Sequence, residues 1–315
     1  MFSSVATCAL LAGTATALSI QEPAAPFTYP SLKACPATAA SVQYSCENKT
    51  AIENTCCSPT PGGLVLATQF WNTYTNMESS GQFLPARHWG IHGLWPDNCD
   101  GSYESYCDLS RQIDPEPSPN TTTGKPDGTP VPAWTGESAT EILESFGRHD
   151  LLNYMNGYWI ARDQPNDYLW AHEYAKHATC FSTFDKKCYE SHQPWEDAID
   201  YWQAAIRANK QYPTWDILAS QGIVPSNSTT YSLQDLENAF VAQVGAKPFF
   251  GCSGPEPSGQ RTVLSEVWVY AHVLGTPQFG QYKAIDSTTA SSCSNTTGIH
   301  YYERTPSSEV SKFVS

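Results

Sequence analysis

The stretch GLVLATQFW, Gly63–Trp71, decides the fold class. It is apolar and follows a Pro-Gly-Gly turn, which predicts a buried β-strand. ARHWGIHGLWP, Ala86–Pro96, predicts a second strand that runs into a turn at Pro96-Asp97-Asn98. LSEVWVYAHVL, Leu264–Leu274, is rich in aromatic and β-branched residues and predicts a strand near the other end of the chain.

Helical patterns occupy the region between these strands. Helices are predicted over Glu137–Asn156 and Asp167–Cys180. PWEDAIDYWQAAIRANKQ, Pro194–Gln211, begins with proline, has apolar residues at helical spacing and is basic towards its end. Ser232-Leu233-Gln234-Asp235 resembles a capping box that opens a helix ending at Gly245. Because strands and helices are interspersed, we predict a single α+β domain.

The N-terminal residues predict export. MFSSVATCALLAGTATALS has no charged side chain, an apolar middle and the small residues Ala15-Thr16-Ala17 as a cleavage signal. We therefore interpret residues 1–17 as a signal peptide and 18–34 as a Pro-rich lead. No later apolar run is long enough to span a bilayer. We expect a secreted monomer, with a vacuolar or lysosomal-type compartment as the alternative location.

The cysteines agree with export. Of eleven cysteines, Cys8 lies in the signal peptide, and the remaining ten suggest five disulfides. No CxxC pair is present, which argues against a zinc ribbon. Neighbouring side chains diverge, so we expect Cys56 and Cys57 to bond different partners. Four sequons fit a secreted glycoprotein and begin at Asn48, Asn120, Asn227 and Asn295.

The net charge of −14 bears on possible partners. It argues against tight binding of duplex nucleic acid, which depends on many contacts between basic side chains and phosphates. It leaves room for an enzyme that binds one or two phosphates locally. The segment Asp114–Gly136 carries six prolines and predicts a surface loop or insert.

The stretch WAHEYAKHATC, Trp170–Cys180, concentrates titratable groups on one helix face. With His172 at 0° and a turn of about 100° per residue, Lys176 falls at about 40°, Glu173 at about 100° and His177 at about 140°. Two imidazoles with a carboxylate and an ammonium group between them suit acid–base chemistry at a phosphodiester.

A zinc site is an alternative interpretation of these histidines. The HExxH motif of zinc proteases places its two histidines four residues apart. Here they are five apart, so the rings diverge by about 140°. Lys176 would also put a cation beside the metal. We therefore expect neither a metal nor another cofactor.

WGIHGLWPDNCDGSY, Trp89–Tyr103, supplies another histidine. His92 follows an apolar run and is predicted at a strand edge facing the histidine helix. A structural role in a tight loop is the alternative. Trp95 and Tyr103 offer rings that stack on bases, and Asp97 offers an acceptor for an exocyclic amine. Core packing is the alternative for the aromatic side chains.

IHGLWPDNC, Ile91–Cys99, and HEYAKHATC, His172–Cys180, resemble the two active-site segments of the ribonuclease T2 family, the secreted acid endoribonucleases. Their order and separation match, and the ten cysteines with an adjacent pair are similar to the fungal branch. The likeness covers Cys35–Cys293. It implies a catalytic domain over 35–297 with the insert 114–136, followed by a tail over 298–315.

The resemblance implies a central antiparallel sheet flanked by several helices. It also implies metal-independent cleavage of single-stranded RNA to 2′,3′-cyclic phosphates and then 3′-phosphates, with an acidic pH optimum. DNA lacks the attacking hydroxyl and should not be cut. The alternative is a secreted binding protein or effector on the same fold that needs no catalysis. Loss of His92 or His177 would have favoured this alternative, and both are present.

The resemblance further implies a role for each site residue. His177 is the general base, His92 the general acid, and His172 binds the phosphate. Glu173 and Lys176 stabilise the pentacoordinate state. Base specificity is broad with an adenine preference. The base 5′ of the cut is bound by Trp95, Asp97 and Tyr103, and the second base by Gln164, Asn166 and Leu169.

The fungal pattern implies five disulfides, Cys35–Cys57, Cys46–Cys99, Cys56–Cys188, Cys107–Cys180 and Cys252–Cys293. Two departures from the family pattern are visible. Ala178 stands where glycine is usual, and Ala171 stands where an acidic residue is usual. The methyl group of Ala178 matters only if the backbone there requires a positive φ.

Overall fold

The structure is a computed structural model that describes residues 32–35, 43–47, 51–254 and 261–310. The predicted signal peptide and the sequon at Asn48 lie outside these residues. In the described ranges the strands are β1 (Leu64–Phe70), β2 (Leu84–Pro85), β3 (Gly90–Asp97), β4 (Thr230–Tyr231), β5 (Phe249–Ser253), β6 (Val263–Leu274), β7 (Gln281–Ile285), β8 (Ile299–His300) and β9 (Glu309–Val310). The α-helices are α1 (Ala139–Ser145), α2 (His149–Tyr158), α3 (Asn166–Lys176), α4 (Glu196–Gln211), α5 (Thr214–Ala219) and α6 (Leu233–Val244).

A seven-stranded sheet organises the fold, with β3 at one edge, β1 next to it and the long β6 beyond. Both of these pairings are antiparallel. On its other side β6 pairs with β5 and β7, and β8 links it to β4. β2 and β9 form a separate parallel pair. The expectation of an α+β fold with a central, mainly antiparallel sheet is confirmed.

The strand β1 is buried on both faces, as its apolar sequence predicts. Val65 and Ala67 belong to the main hydrophobic core. Leu64 and Leu66 point to the opposite face, where they pack in a smaller cluster with Tyr270. The helices therefore cover one face of the sheet, and aromatic side chains cover part of the other.

Two helix predictions need correction. The predicted helix over 137–156 is divided into α1 and α2, because Gly147 adopts a left-handed φ of 64° between them. The predicted helix over 167–180 ends at Lys176, and a 3₁₀ turn follows over Ala178–Cys180. The capping box at Ser232 and Asp235 is confirmed, as is the end of α6 at Gly245, whose φ is 82°.

The Pro-rich segment 114–136 contains no helix or named strand, and only one isolated β-bridge, between Thr121 and Pro130, is found in it. Its middle is exposed, but its first residue is not a surface residue. Asp114 is 1% exposed, and Val131 belongs to the main core. The residues of the tail that the structure describes also join the fold, since they form β8 and β9 and bury Tyr301 and Arg304.

The structure contains the five disulfides that the fungal pattern implies, and Cys56 and Cys57 do bond different partners. Cys107–Cys180 ties the loop before the Pro-rich segment to the turn after α3.

Among the described helices, none has the length and apolar character needed to cross a membrane. The asparagines of the sequons at Asn120, Asn227 and Asn295 are exposed.

The buried Arg111 connects the loop before the Pro-rich segment to α4 and to the residues that follow α3. Its guanidinium group lies 3.1 Å from the carboxylate of Asp197 in α4 and 2.8 Å from that of Asp108. It also donates to the backbone oxygens of Thr179 and Phe184, just after α3. Burial of a charged side chain requires such partners. The C-terminal end of α3, which carries the histidines, is thereby fixed in place.

Candidate active site

The edge strand β3 and the helix α3 bring two distant chain segments together around one carboxylate. Nε2 of His92 lies 3.5 Å from Oε1 of Glu173, and Nε2 of His177 lies 3.9 Å from Oε2 of the same residue. The histidine predicted at a strand edge therefore does face the histidine helix. Glu173 lies between the two imidazoles.

The close approach of β3 and α3 depends on a glycine. A Cβ atom on Gly93 would lie 1.9 Å from Oε2 of Glu173, so any other residue at this position would displace that carboxylate. The strand is also held by Trp159, whose indole nitrogen donates to the backbone oxygen of His92 at 2.9 Å. The residues around His92 therefore form the strand and also leave room for the carboxylate of Glu173 beside it.

The opposite face of α3 anchors the helix in the core. Tyr174 is fully buried there, and so is Ala178 in the 3₁₀ turn that follows. The hydroxyl of Tyr174 donates to Asp197 of α4 at 2.6 Å. Ala178 is not among the described residues with positive φ, so its methyl group costs nothing in backbone strain. The departure from glycine at this position is compatible with the site.

The side chain of Glu173 is buried and accepts one short hydrogen bond. It is 1% exposed, and Oε2 accepts a hydrogen bond from Nε1 of Trp95 at 2.7 Å. Oε1 has no hydrogen-bond partner among the described residues. Burial raises the pKa of Glu173 to about 7, against the lowering effect of His172, Trp95 and Lys176. The group can therefore be protonated under mildly acidic conditions.

Trp95 lies within the histidine cluster. Its indole ring stacks on His177 with centroids 4.9 Å apart and contacts His92 edge-on at the same distance. Sequence reasoning assigns this side chain to base binding only. The structure adds contacts to three predicted catalytic side chains, since the indole also donates to Glu173. One face of the ring is covered by His177.

Burial disfavours the charged form of the two central imidazoles. It lowers the pKa of His92 to about 3 and that of His177 well below its ordinary value of 6.5. The positive charges of Lys176 and His172 lower both pKa values further. Lys176, at the partly exposed end of α3, is therefore close enough to act on both rings electrostatically.

His172 makes a contact that sequence reasoning missed. Its Nδ1 atom lies 2.7 Å from Oδ2 of Asp114. The hydroxyl of Tyr106 donates to the same carboxylate oxygen at 2.7 Å and lies 3.3 Å from Nδ1 of His172. Asp114 begins the Pro-rich segment, whose composition indicates a surface loop, and no local pattern marks its carboxylate as buried.

The residues predicted to bind the first base follow Trp95 at the end of β3. Asp97 and Tyr103 face each other in an isolated antiparallel bridge. Tyr103 is 75% exposed, which is unusual for so large an aromatic side chain. Burial raises the pKa of Asp97 to about 7. The exposed ring of Tyr103 thus lies beside the half-buried carboxyl group of Asp97, which is two residues after Trp95 in the chain.

Two of the residues predicted for the second base are largely buried, and their assignment to that base stays a prediction. The side chain of Asn166 accepts from the backbone nitrogen of Ala161 at 2.9 Å, and Leu169 packs in the main core. Both are less than 10% exposed, at 8% and 7%. The structure therefore gives these two side chains a role in the fold, while Gln164 is partly exposed.

Comparison with known proteins links this chain to one family. The model of the Ribonuclease T2 family matches residues 62–296. Ribonuclease T2 of Aspergillus oryzae is 36% identical over 87% of this chain and 84% of its own length. Ribonuclease Trv of Hypocrea rufa is 37% identical over 81% of this chain and 92% of its own length. The crystal structure of Actibind, a T2 ribonuclease, matches with a TM-score of 0.68 and 31% identity over 87% of this chain and 99% of that chain.

Proposed function

Because the chain belongs to the ribonuclease T2 family and is an endoribonuclease of that type, we propose that it cuts single-stranded RNA by transphosphorylation. The 2′-hydroxyl attacks the adjacent phosphorus and the bond to the 5′ oxygen breaks. The resulting 2′,3′-cyclic phosphate is then opened by water to a 3′-phosphate. This chemistry needs one group that accepts the 2′ proton and another that protonates the leaving oxygen.

The observation that carries the proposal is the position of Glu173 between two imidazoles. His92 and His177 come from segments far apart in the chain and lie 3.5 Å and 3.9 Å from the two oxygens of one carboxylate. A phosphodiester bound over this carboxylate has one imidazole on each side. His177, which burial holds neutral, accepts the 2′ proton, and His92 protonates the 5′ oxygen.

The remaining charged groups act on the phosphoryl oxygens. Glu173, whose pKa is raised to about 7, donates its proton as a hydrogen bond to a non-bridging oxygen under acidic conditions. Lys176 supplies the positive charge that stabilises the pentacoordinate state. His172 binds the phosphate before the chemical step. No metal is required when side chains supply this charge.

The base 5′ of the cut is recognised by the exposed ring of Tyr103 and the carboxyl group of Asp97. Stacking on an aromatic ring accepts any base, which gives broad specificity. The carboxyl oxygen of Asp97, which can accept from an exocyclic amine, adds a preference for adenine. Trp95 forms the wall of this pocket that adjoins His92 and His177.

The five disulfides are consistent with a secretory route for this chain. The protein is secreted as a monomer after removal of residues 1–17. Exposed sequons at Asn120, Asn227 and Asn295 carry glycans.

The pH dependence of kcat/KM should be bell-shaped, with its maximum below pH 6.5. The free enzyme needs a protonated His92, and a lowered pKa means that this proton is lost as the pH rises through the acidic range. It also needs a neutral His177, and a lowered pKa keeps that ring neutral at low pH. Both lowered pKa values therefore shift the pH optimum of kcat/KM to lower pH.

The profile of kcat should lie at higher pH than that of kcat/KM, because the bound phosphate is negative and favours the protonated imidazoles. Initial rates on one dinucleoside phosphate, measured from pH 3 to pH 9, give both profiles. A maximum of kcat/KM above pH 7 would contradict the burial argument.

Incubation with single-stranded RNA and single-stranded DNA, each with and without a metal chelator, tests the proposed function. We expect RNA to be cut equally in both conditions and DNA to stay intact. Intact RNA would instead support a binding protein on the same fold. Chelator-sensitive cleavage would support a metal-dependent hydrolase.

A further inference from the structure

We propose that Asp114 is a positioning residue that holds the imidazole of His172 with a proton on Nδ1 and directs Nε2 to the phosphate. The inference rests on the proposed function, because it gives His172 the role of binding the phosphate. It concerns the contact between a buried carboxylate and a ring at the edge of the catalytic cluster.

The hydrogen bonds around Asp114 leave it only one way to interact with His172. Oδ1 accepts from the backbone nitrogen of Glu116 at 2.9 Å. Oδ2 accepts from the hydroxyl of Tyr106 and lies 2.7 Å from Nδ1 of His172. The Tyr106 oxygen itself accepts from the backbone nitrogen of Ser118 at 3.0 Å, which turns its proton towards Asp114. A carboxylate can only accept here, so Nδ1 must carry the hydrogen.

The carboxylate is also rigidly held. Asp114 is 1% exposed, and Gln112 bonds both its backbone nitrogen and its backbone oxygen, at 2.7 Å and 2.9 Å. The backbone nitrogen of Tyr106 donates to the backbone oxygen of Lys176 at 3.0 Å. The disulfide Cys107–Cys180 joins the same two segments. Asp114 and the end of α3 are therefore parts of one fixed unit.

The chemical consequence concerns the second ring nitrogen. With Nδ1–H bonded to Asp114, the ring cannot rotate freely, and Nε2 keeps one direction. When the ring is protonated, it donates to Asp114 through Nδ1 and to a phosphate oxygen through Nε2. Partners of this kind fix the tautomer and orientation of a histidine ring, and at metal-bound histidines their loss typically costs about 10–100-fold. Asp114 acts only through His172 and does not contact the substrate.

The variant Asp114→Asn tests the inference sharply. The backbone N–H of Glu116 still needs an acceptor, so the amide oxygen takes the place of Oδ1 and the NH₂ group faces Nδ1 of His172. Nδ1 must then accept, and the ring proton moves to Nε2. We expect ¹⁵N NMR of histidine-labelled protein at alkaline pH to show the proton on Nδ1 in the unmodified protein and on Nε2 in the variant. His172→Ala identifies the signals.

The kinetic effect should appear mainly in binding. We expect Asp114→Asn to raise KM for a dinucleoside phosphate about tenfold, with a smaller change in kcat. In the background of His172→Ala it should raise KM no further, because its effect passes through that ring. Asp127→Asn, an exposed aspartate of the same segment, is the matched charge control and should leave KM unchanged.

Two further variants separate positioning from folding. Asp114→Glu and Tyr106→Phe both keep a carboxylate acceptor, and both should keep the proton on Nδ1. An unchanged tautomer in Asp114→Asn, an altered one in Asp114→Glu, or an equal rise in KM with and without His172 would overturn the inference. The NMR result needs no substrate, so it is independent of whether RNA is cut.

Discussion

Replacing His177 with alanine is expected to lower kcat on single-stranded RNA by about 10²–10⁴-fold, the usual contribution of a general base or acid. His177 lies 3.9 Å from Glu173 and stacks on Trp95, so the ring is fixed beside the carboxyl group over which we propose that the phosphate binds. Its removal leaves the 2′-hydroxyl without a base. The measurement is kcat on a dinucleoside phosphate at the pH optimum.

His92→Ala should reduce kcat to a similar extent, because the leaving oxygen then departs without its proton. The double variant should be little worse than either single one, since the two rings act in one concerted transfer. His300→Ala is the matched control, because His300 lies in β8 and stacks on Tyr302 away from the cluster. Near-normal turnover in His177→Ala would refute the assignment of the base.

The second large effect is expected for Glu173→Gln, which should lower kcat by about 10²–10³-fold with little change in KM. The indole nitrogen of Trp95 is only a donor, so the amide oxygen of the glutamine must face it. The NH₂ group then points to His92 and opposes the protonated ring. The variant also lacks the acidic proton offered to the phosphoryl oxygen.

Glu266→Gln is the control for this variant. Glu266 also accepts from an indole nitrogen, that of Trp268, at 3.0 Å, and burial also raises its pKa. It has no contact with the histidines among the described hydrogen bonds and ion pairs. We expect it to retain activity. Equal losses in the two variants would mean that Glu173 serves only to hold a tryptophan.

Local patterns predicted the parts of the fold that depend on local chemistry. Alternation and apolar character located β1, β3 and β6, and the capping box located the start of α6. Gly147 shows where such patterns fail, because a periodic stretch does not reveal the left-handed residue that divides it. Helical spacing also placed Glu173 and His177 on one face, although α3 itself ends at Lys176.

The features that the sequence did not reveal are those made by tertiary contacts. Asp114 stands in a segment of prolines and sequon residues, and only the fold brings its carboxylate against His172. Trp95 was assigned to base binding from its residue type, and its hydrogen bond to Glu173 depends on the distance between β3 and α3. Asn166 and Leu169 make structural contacts that local patterns do not indicate, and their place in a second base site stays a prediction.

The most direct test of the central claim, that two imidazoles around Glu173 drive attack by the 2′-hydroxyl, is product analysis by ³¹P NMR. A set of dinucleoside phosphates and their 2′-deoxy analogues is incubated at acidic pH in the presence of a chelator. We expect a transient 2′,3′-cyclic phosphate and a free 5′-hydroxyl from every ribose substrate, fastest with adenine on the 5′ side, and no reaction of the deoxy analogues. Cleavage of a deoxy analogue, or a 5′-phosphate product without a cyclic intermediate, would contradict this mechanism.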